Sequence, residues 1–174
     1  LAHWPMALVR DPRKVLTVGF GSGGASYSYL LHDCLEEVHC VEICPGVVRA
    51  SSYLKDANHG ILEKRDPRYR IVFDDARAYL RYTKERYDII TTDCTDLRYK
   101  SSASLYDLEY FQFCRERLRS GGVVVCKTIA AETASNRRFA TPFLSLFDGV
   151  RGLFALLRVG LFGLVLVGAR RVVT

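Results

Sequence analysis

Four places in the sequence gather residue types that handle a nucleoside or an amine. Val15-Leu16-Thr17-Val18-Gly19-Phe20-Gly21-Ser22-Gly23-Gly24 is an apolar run that passes straight into a glycine-rich turn. Glycines in such a turn adopt positive φ and let the backbone approach a ligand closely. Glu42, in Val41-Glu42-Ile43, lies 18 residues after Gly24. That is close to the spacing at which an acid at the next strand end accepts both ribose hydroxyls. Asp74-Asp75-Ala76-Arg77 closes a third apolar run. Thr92-Asp93-Cys94-Thr95-Asp96 closes a fourth with two carboxylates three residues apart. Such a pair can bind an ammonium group and accept its proton, which an amine must lose before it attacks carbon. Each acid alone reads equally well as a solvated turn or helix start. What favours a nucleoside site is their recurrence at consecutive strand ends, where open α/β sheets bind ligands.

The elements that must position these residues alternate along the chain. Short β-type runs fall at Val15 to Val18, Glu37 to Glu42, Arg70 to Phe73, Tyr87 to Asp93 and Gly122 to Cys126. Helical stretches fall at Ala25 to Leu31, Gly46 to Lys55, Ala76 to Tyr82 and Asp107 to Leu118, the last with a stop signal at Ser120-Gly121-Gly122. After Asn136 the pattern predicts a helical piece to Phe147 and a turn at Asp148-Gly149. Two apolar runs follow, Leu153 to Leu157 and Leu161 to Val167, separated by Arg158-Val159-Gly160. That connection is too short for a crossover helix, so the last two strands should pair antiparallel. A helix-covered parallel sheet ending in an antiparallel hairpin is the plan of the class I methyltransferase-like Rossmann fold, and no linker or repeat divides the chain.

In order and spacing, these pieces resemble the polyamine aminopropyltransferases, that is, the spermidine synthases and the spermidine synthase-like domains of bacterial membrane-linked proteins. The resemblance runs from about His3 to Lys127 and is carried by His3-x-Pro5, Asp11-Pro12-x-Lys14-Val15-Leu16, the Gly19 to Gly24 turn and Val41-Glu42-Ile43. Asp66-Pro67-Arg68, Asp75-Ala76-Arg77-x-Tyr79-Leu80, Tyr87-Asp88-Ile89-Ile90, Asp93-x-x-Asp96 and Leu105-Tyr106 continue it. It implies that Gly19, Gly21, Ser22 and Gly23 pass beside an adenosyl donor, that Glu42 holds the ribose, and that Asp75 and Ala76 meet the adenine edge. Asp93 would be the general base, and Asp96 with Tyr106 would hold the amine acceptor. The donor would be S-adenosylmethionine or its decarboxylated form, and the reaction transfer of an aminopropyl group to a polyamine or other small amine. Methyl transfer and a non-catalytic, nucleoside-binding regulatory domain are the alternatives.

Three positions depart from that pattern. Ser22 replaces the acid that meets the donor's ammonium in spermidine synthases, which suits a carboxylate-bearing donor better. Leu97 stands where proline commonly follows the second acid, and only 14 residues precede the first strand, too few for the family's N-terminal β-domain. The chain therefore reads as one domain, residues 1–174, excised from something longer.

Composition excludes other classes. With 174 residues, 49% hydrophobic and 25% charged, the chain can bury a core. The net charge of +6 is concentrated at the end: residues 1–126 carry 18 basic and 17 acidic side chains, residues 127–174 carry 7 and 2. No basic stripe with interleaved aromatics accompanies it, so nucleic acid is not expected. The apolar stretch from Leu153 to Gly168 is 16 residues long and contains Arg158, short of the ~20 that span a bilayer. Six cysteines without a C-x-x-C pair predict reduced thiols and no metal site. His32, His39 and His59 have no triad companions and read as satisfied or surface histidines. Tyr106, Tyr110, Phe111 and Phe113 read either as an apolar wall for an amine's methylene chain or as core. A cytoplasmic setting, a homodimer and a membrane-embedded segment upstream complete the expectations.

Overall fold

The computed structural model describes residues 2–93, 104–128, 157–158 and 164–169, with side chains over 2–93 and 104–126. Helix α1 (His3–Leu8) leads into β1 (Lys14–Val18), α2 (Gly24–Leu30), β2 (Glu37–Glu42) and α3 (Pro45–Ala50). A 3-10 turn (Ser51–Leu54), α4 (Lys55–Asn58), β3 (Tyr69–Phe73), α5 (Ala76–Tyr82) and β4 (Tyr87–Thr92) follow. Helix α6 (Leu108–Arg117) enters β5 (Leu118–Thr128), and β6 (Leu157–Arg158) and β7 (Leu164–Ala169) end the described chain. The strands form one seven-stranded sheet in the order β3-β2-β1-β4-β5-β7-β6. β1 to β5 pair parallel, and β7 pairs antiparallel with β5 and β6. The expected class I methyltransferase-like Rossmann plan, with its terminal antiparallel hairpin, is what the chain adopts.

Beyond Lys14 and Asp88 at the amino edge, residues 15–18 and 89–92 of the central strands are unbroken apolar or β-branched runs, because both faces of a parallel sheet are covered. All residues of β1 and β4 are buried. Successive side chains alternate between two cores. Leu16, Val18, Ile90 and Val124 join Tyr79, Leu80, Tyr110 and Phe111 on one face. Val15, Ile89, Val123 and Val125 join Phe20, Tyr29 and Leu35 on the other. Helix starts are set by side chains suited to them: Pro45 opens α3, while Asp75 and Asp107 cap α5 and α6.

Arg68 ties distant parts of this frame together. It pairs with Asp66 (Nη2 to Oδ2, 2.7 Å) and donates to the carbonyls of Leu30 (2.8 Å), His32 (3.2 Å) and Leu35 (3.4 Å) at and beyond the end of α2. Carbonyls in the last turn of a helix run out of intrahelical donors, as at Leu30, and a cation there also suits the helix dipole.

Four expectations are corrected. Helix α1 was not anticipated; Ala2 and Val9 at its ends are buried in the second core. The single helix expected over Gly46 to Lys55 is α3 followed by the 3-10 turn and α4. Strand β5 begins at Leu118, which pairs with Tyr87, not at Gly122. The fully buried Leu118 is taken by the sheet as soon as α6 ends, so the glycine pair serves the register shift between Tyr87 and Ile89. At Gly122 a Cβ would lie 2.8 Å from the Asp88 carbonyl oxygen. Finally, Arg158 belongs to β6 and pairs with Leu164. Strand membership is set by backbone pairing, so the charge at this position does not mark a turn. The expected helical piece to Phe147 and the turn at Asp148-Gly149 lie outside the described residues. Among the described residues no helix is long and apolar enough to cross a membrane.

Candidate functional site

The ends of four adjacent strands build the site. Their backbone pairing continues one residue beyond the strands. Gly19 N–H donates to Val41 O (2.9 Å), Asp74 N–H to Glu42 O (3.2 Å) and Asp93 N–H to Val18 O (3.3 Å). The carboxyl edge therefore presents, in order, Asp74-Asp75 from β3, Glu42 from β2, the glycine turn from β1 and Asp93 from β4. From β3 to β4 that edge spans three strand spacings of about 4.8 Å, the length scale of a nucleoside with a short substituent.

The turn needs its glycines. Gly19, Gly21 and Gly23 have φ of 85°, 55° and 88°, the left-handed region in which a Cβ is strained. Gly23 N–H closes the turn on Phe20 O at 2.8 Å, and a Cβ on Gly23 would fall 2.8 Å from the Phe20 ring and 3.1 Å from Asn58 Cβ. Ser22 is exposed, and its Oγ accepts the Gly24 N–H at 3.3 Å. A neutral hydroxyl thus occupies the position at which the sequence resemblance implies an acid.

Glu42 is 7% exposed and spans the turn: its Oε2 accepts Phe20 N–H at 2.7 Å and its Oε1 accepts Cys44 N–H at 2.8 Å. Both oxygens keep a further lone pair. The Asp75 Oδ1 caps α5 by accepting Ala78 N–H at 2.8 Å, and Asp75 N–H donates to Asp74 Oδ1 at 2.8 Å. Ala76, 9% exposed, opens α5. The helix-start reading of Asp75 therefore holds, and it leaves Oδ2 outside the cap. Asp93 follows Thr91 and Thr92, whose hydroxyls meet those of Tyr29 (2.5 Å) and Tyr110 (2.7 Å). Burial pushes the Tyr29 phenol up, and the Asp93 carboxylate adds to that push.

Tyr106, Tyr110 and Phe111 are buried in the first core, with Phe113 packed against it. Asp96, Cys94 and Leu97 lie outside the described residues. His39 is satisfied by Glu37 and Tyr87, His32 pairs with His3 at 3.0 Å, and His59 stacks on Tyr27. Among the described residues, Cys34, Cys40, Cys44, Cys114 and Cys126 form no disulfide with one another.

Sequence reasoning missed two residues. Asn58, 1% exposed, donates from Nδ2 to Ser22 O (3.0 Å) and Ser51 O (2.9 Å) and accepts Gly60 N–H (2.9 Å) at Oδ1. It braces the glycine turn from below. The Asn58-His59-Gly60 triplet, with positive φ at His59 and Gly60, is a turn signal, but nothing in it points 36 residues back to Ser22. The second is Arg77, which reaches from α5 to the segment before α6.

Sheet order and glycine turn together define a class I methyltransferase-like Rossmann domain. The spermine/spermidine synthase domain model matches residues 1–138, and the chain belongs to that family. The chain is 34% identical over 158 residues to a polyamine aminopropyltransferase of Thermococcus kodakarensis, covering 88% of this chain and 53% of that protein. A polyamine aminopropyltransferase of Thermotoga maritima is 36% identical over 129 residues, covering 74% and 43%. The chain spans about half the length of these curated relatives. Among solved structures, a spermidine synthase in complex with the transition state analogue AdoDATO matches with a TM-score of 0.83 at 26% identity, over 97% of this chain and 58% of that one. Human methyltransferase-like protein 13 in complex with SAH matches with a TM-score of 0.76 at 16% identity, over 96% and 79%; at that identity the likeness is one of fold.

Proposed function

We propose that this chain is the donor-binding and catalytic domain of an aminopropyltransferase, which moves an aminopropyl group from decarboxylated S-adenosylmethionine to a polyamine amine. The observation that carries this reading is Glu42. It is a nearly buried carboxylate that bonds the glycine turn through a backbone amide, with no Lys or Arg paired to it among the described residues. Its remaining lone pairs suit the two hydroxyls of a ribose lying over the turn. Asp75 Oδ2 and the Ala76 backbone then stand at the adenine edge.

Asp93, three strand positions away from Asp75, faces the far end of such a donor. The neutral amine attacks the methylene beside the sulfonium, the carbon–sulfur bond breaks with its electron pair going to sulfur, and methylthioadenosine leaves. Asp93 takes the amine's proton, while Asp96 and Tyr106 hold the rest of the acceptor. Carboxylates near a path along which positive charge moves from sulfur to nitrogen favour it electrostatically. As part of the same reading we assign the reaction to the cytoplasm. The chain would work there as one domain of a longer protein, as a homodimer or beside a membrane-embedded segment.

Calorimetry with methylthioadenosine tests the donor site. Glu42→Gln should weaken binding by about 1.5–3 kcal/mol, as loss of a charge-assisted hydrogen bond does. A wild-type chain that binds no adenosyl ligand would refute the reading. Ser22 supports a second one: its neutral side chain also accepts a donor bearing a carboxylate, S-adenosylmethionine itself, and hence methyl transfer. Competition between the two donors separates them, and Ser22→Asp should shift preference toward the decarboxylated form.

A further inference from the structure

We infer that Arg77 is a positioning residue that sets the acceptor half of the site against the donor half; the inference rests on the aminopropyl-transfer reading. Arg77 lies on α5 two residues beyond Asp75. Its Nη1 donates to Ser104 O at 3.3 Å and to Asp107 Oδ2 at 2.5 Å, and its Nη2 donates to Glu109. The three bonds bracket Tyr106 in the chain: Ser104 precedes it, Asp107 and Glu109 follow it. One guanidinium thus grips both sides of the residue assigned to the amine.

Asp107 extends the connection. While Oδ2 pairs with Arg77, Oδ1 accepts Tyr110 N–H at 2.8 Å and caps α6. Tyr110 is fully buried, and its hydroxyl meets Thr92 Oγ1 at 2.7 Å, one residue before Asp93. A continuous set of contacts therefore runs from the turn that carries Asp75, through Arg77 and Asp107, to the strand end that carries Asp93.

As a source of stability this arrangement is weak. The Arg77, Asp107 and Glu109 side chains are 27%, 43% and 56% exposed, and ion pairs so open to water contribute little. Its value is geometric. A planar fork binding two carboxylates and a carbonyl fixes direction as well as distance, which an ammonium cannot reproduce. Loss of the fork should loosen the acceptor side while leaving the glycine turn, Glu42 and the Asp75 cap as they are.

The test uses the full chain and two probes, methylthioadenosine alone and then spermidine titrated into the methylthioadenosine-saturated protein. Arg77→Leu and Asp107→Asn should each weaken spermidine binding about tenfold and leave methylthioadenosine affinity within about twofold, with Arg77→Lys falling in between. Asparagine still caps α6, so Asp107→Asn decides the matter should Arg77→Leu fail to fold. Unchanged spermidine affinity in folded variants would overturn the inference, and so would equal weakening of both ligands, the mark of a general structural role. A wild-type chain that binds methylthioadenosine but no spermidine would overturn it too while sparing the donor-site assignment. A wild-type chain that binds neither refutes the aminopropyl-transfer reading itself.

Discussion

The two edges of the sheet treat their charges in opposite ways. At the amino edge, acids are neutralised by bases. Lys14 Nζ sits between Glu37 Oε2 and Glu85 Oε2, each at 2.7 Å. His39 bonds Glu37 at 2.9 Å and the Tyr87 hydroxyl at 3.0 Å, and that hydroxyl meets Tyr79 at 2.7 Å. Asp88 Oδ2 accepts the Arg13 and Lys14 amides, both at 2.8 Å, and Arg119 Nη1 at 3.0 Å. At the carboxyl edge, Glu42 and Asp75 are held by backbone N–H groups, and neither is ion-paired among the described residues. Dipoles fix those carboxylates in place without cancelling their charge. One edge spends its electrostatics on holding strands together; the other leaves its negative charge uncancelled among the described residues.

The contrast can be broken most sharply at Asp93. If the carboxyl edge is catalytic, Asp93→Asn in the protein that turns over should lower the rate at saturating amine by about 10²- to 10⁴-fold. Full turnover would reduce the acids to loop starts. Next comes Gly23→Ala, which places a Cβ at φ 88° against the Phe20 ring. The strained backbone costs about 1–2 kcal/mol and the overpacking about 1–3 kcal/mol. Both should show as a lower melting temperature and a loss of methylthioadenosine binding.

At the amino edge, Lys14→Met should do the reverse. Two acids lose their shared base, but Glu37 and Glu85 are 48% and 42% exposed and can hydrate, so about 1–2 kcal/mol of stability goes. Chemical denaturation measures that loss, and methylthioadenosine affinity should stay within about twofold. The smallest effect concerns pH. Burial, followed by the charge of Lys14, holds the His39 imidazole below its ordinary range despite Glu37 and Glu85. A folded-state value below the unfolded ~6.5 means that the unfolded chain binds more protons in that window. Stability should therefore be full above about pH 6.5 and fall as the pH drops toward the folded value. Midpoints of urea unfolding between pH 7.5 and 5.5 check this, and His39→Gln should flatten the slope. Glu37, lowered by its bond to Lys14, has the same sign but acts below the ordinary glutamate range.

What the sequence disclosed follows from the range of the forces involved. The β1 run and its glycine turn are local: an apolar strand must be buried, and backbone at positive φ selects glycine within a few residues. The strand ending at Glu42 was legible for the same reason. Asn58 was not, because its purpose lies in a carbonyl 36 residues earlier. Leu118 and Gly122 misled because a helix stop and a strand bulge use similar residues, and only pairing with Tyr87 and the approach of the Asp88 carbonyl separate them. Asp75 shows the limit in another way: a helix cap and a proposed ligand contact call for the same residue type, so the sequence cannot separate them, and the structure shows the cap through Oδ1 with Oδ2 outside it.

Arg68 has a consequence for how the chain is made. Helix α2 starts at the glycine turn, yet the carbonyls at and beyond its end are satisfied by a guanidinium 38 residues after Leu30. In a nascent chain that ends just after α2, that helix has seven residues, too short to persist alone. Local turns satisfy Tyr29 O and His32 O, but Leu30 O gains its guanidinium partner only once Arg68 emerges. The glycine turn is therefore translated well before Arg68, whose bonds to the segment after α2 form only when the entry to β3 arrives. Ligand capture by ribosome-bound chains of increasing length should begin after Arg68 has cleared the exit tunnel, not when Gly24 does.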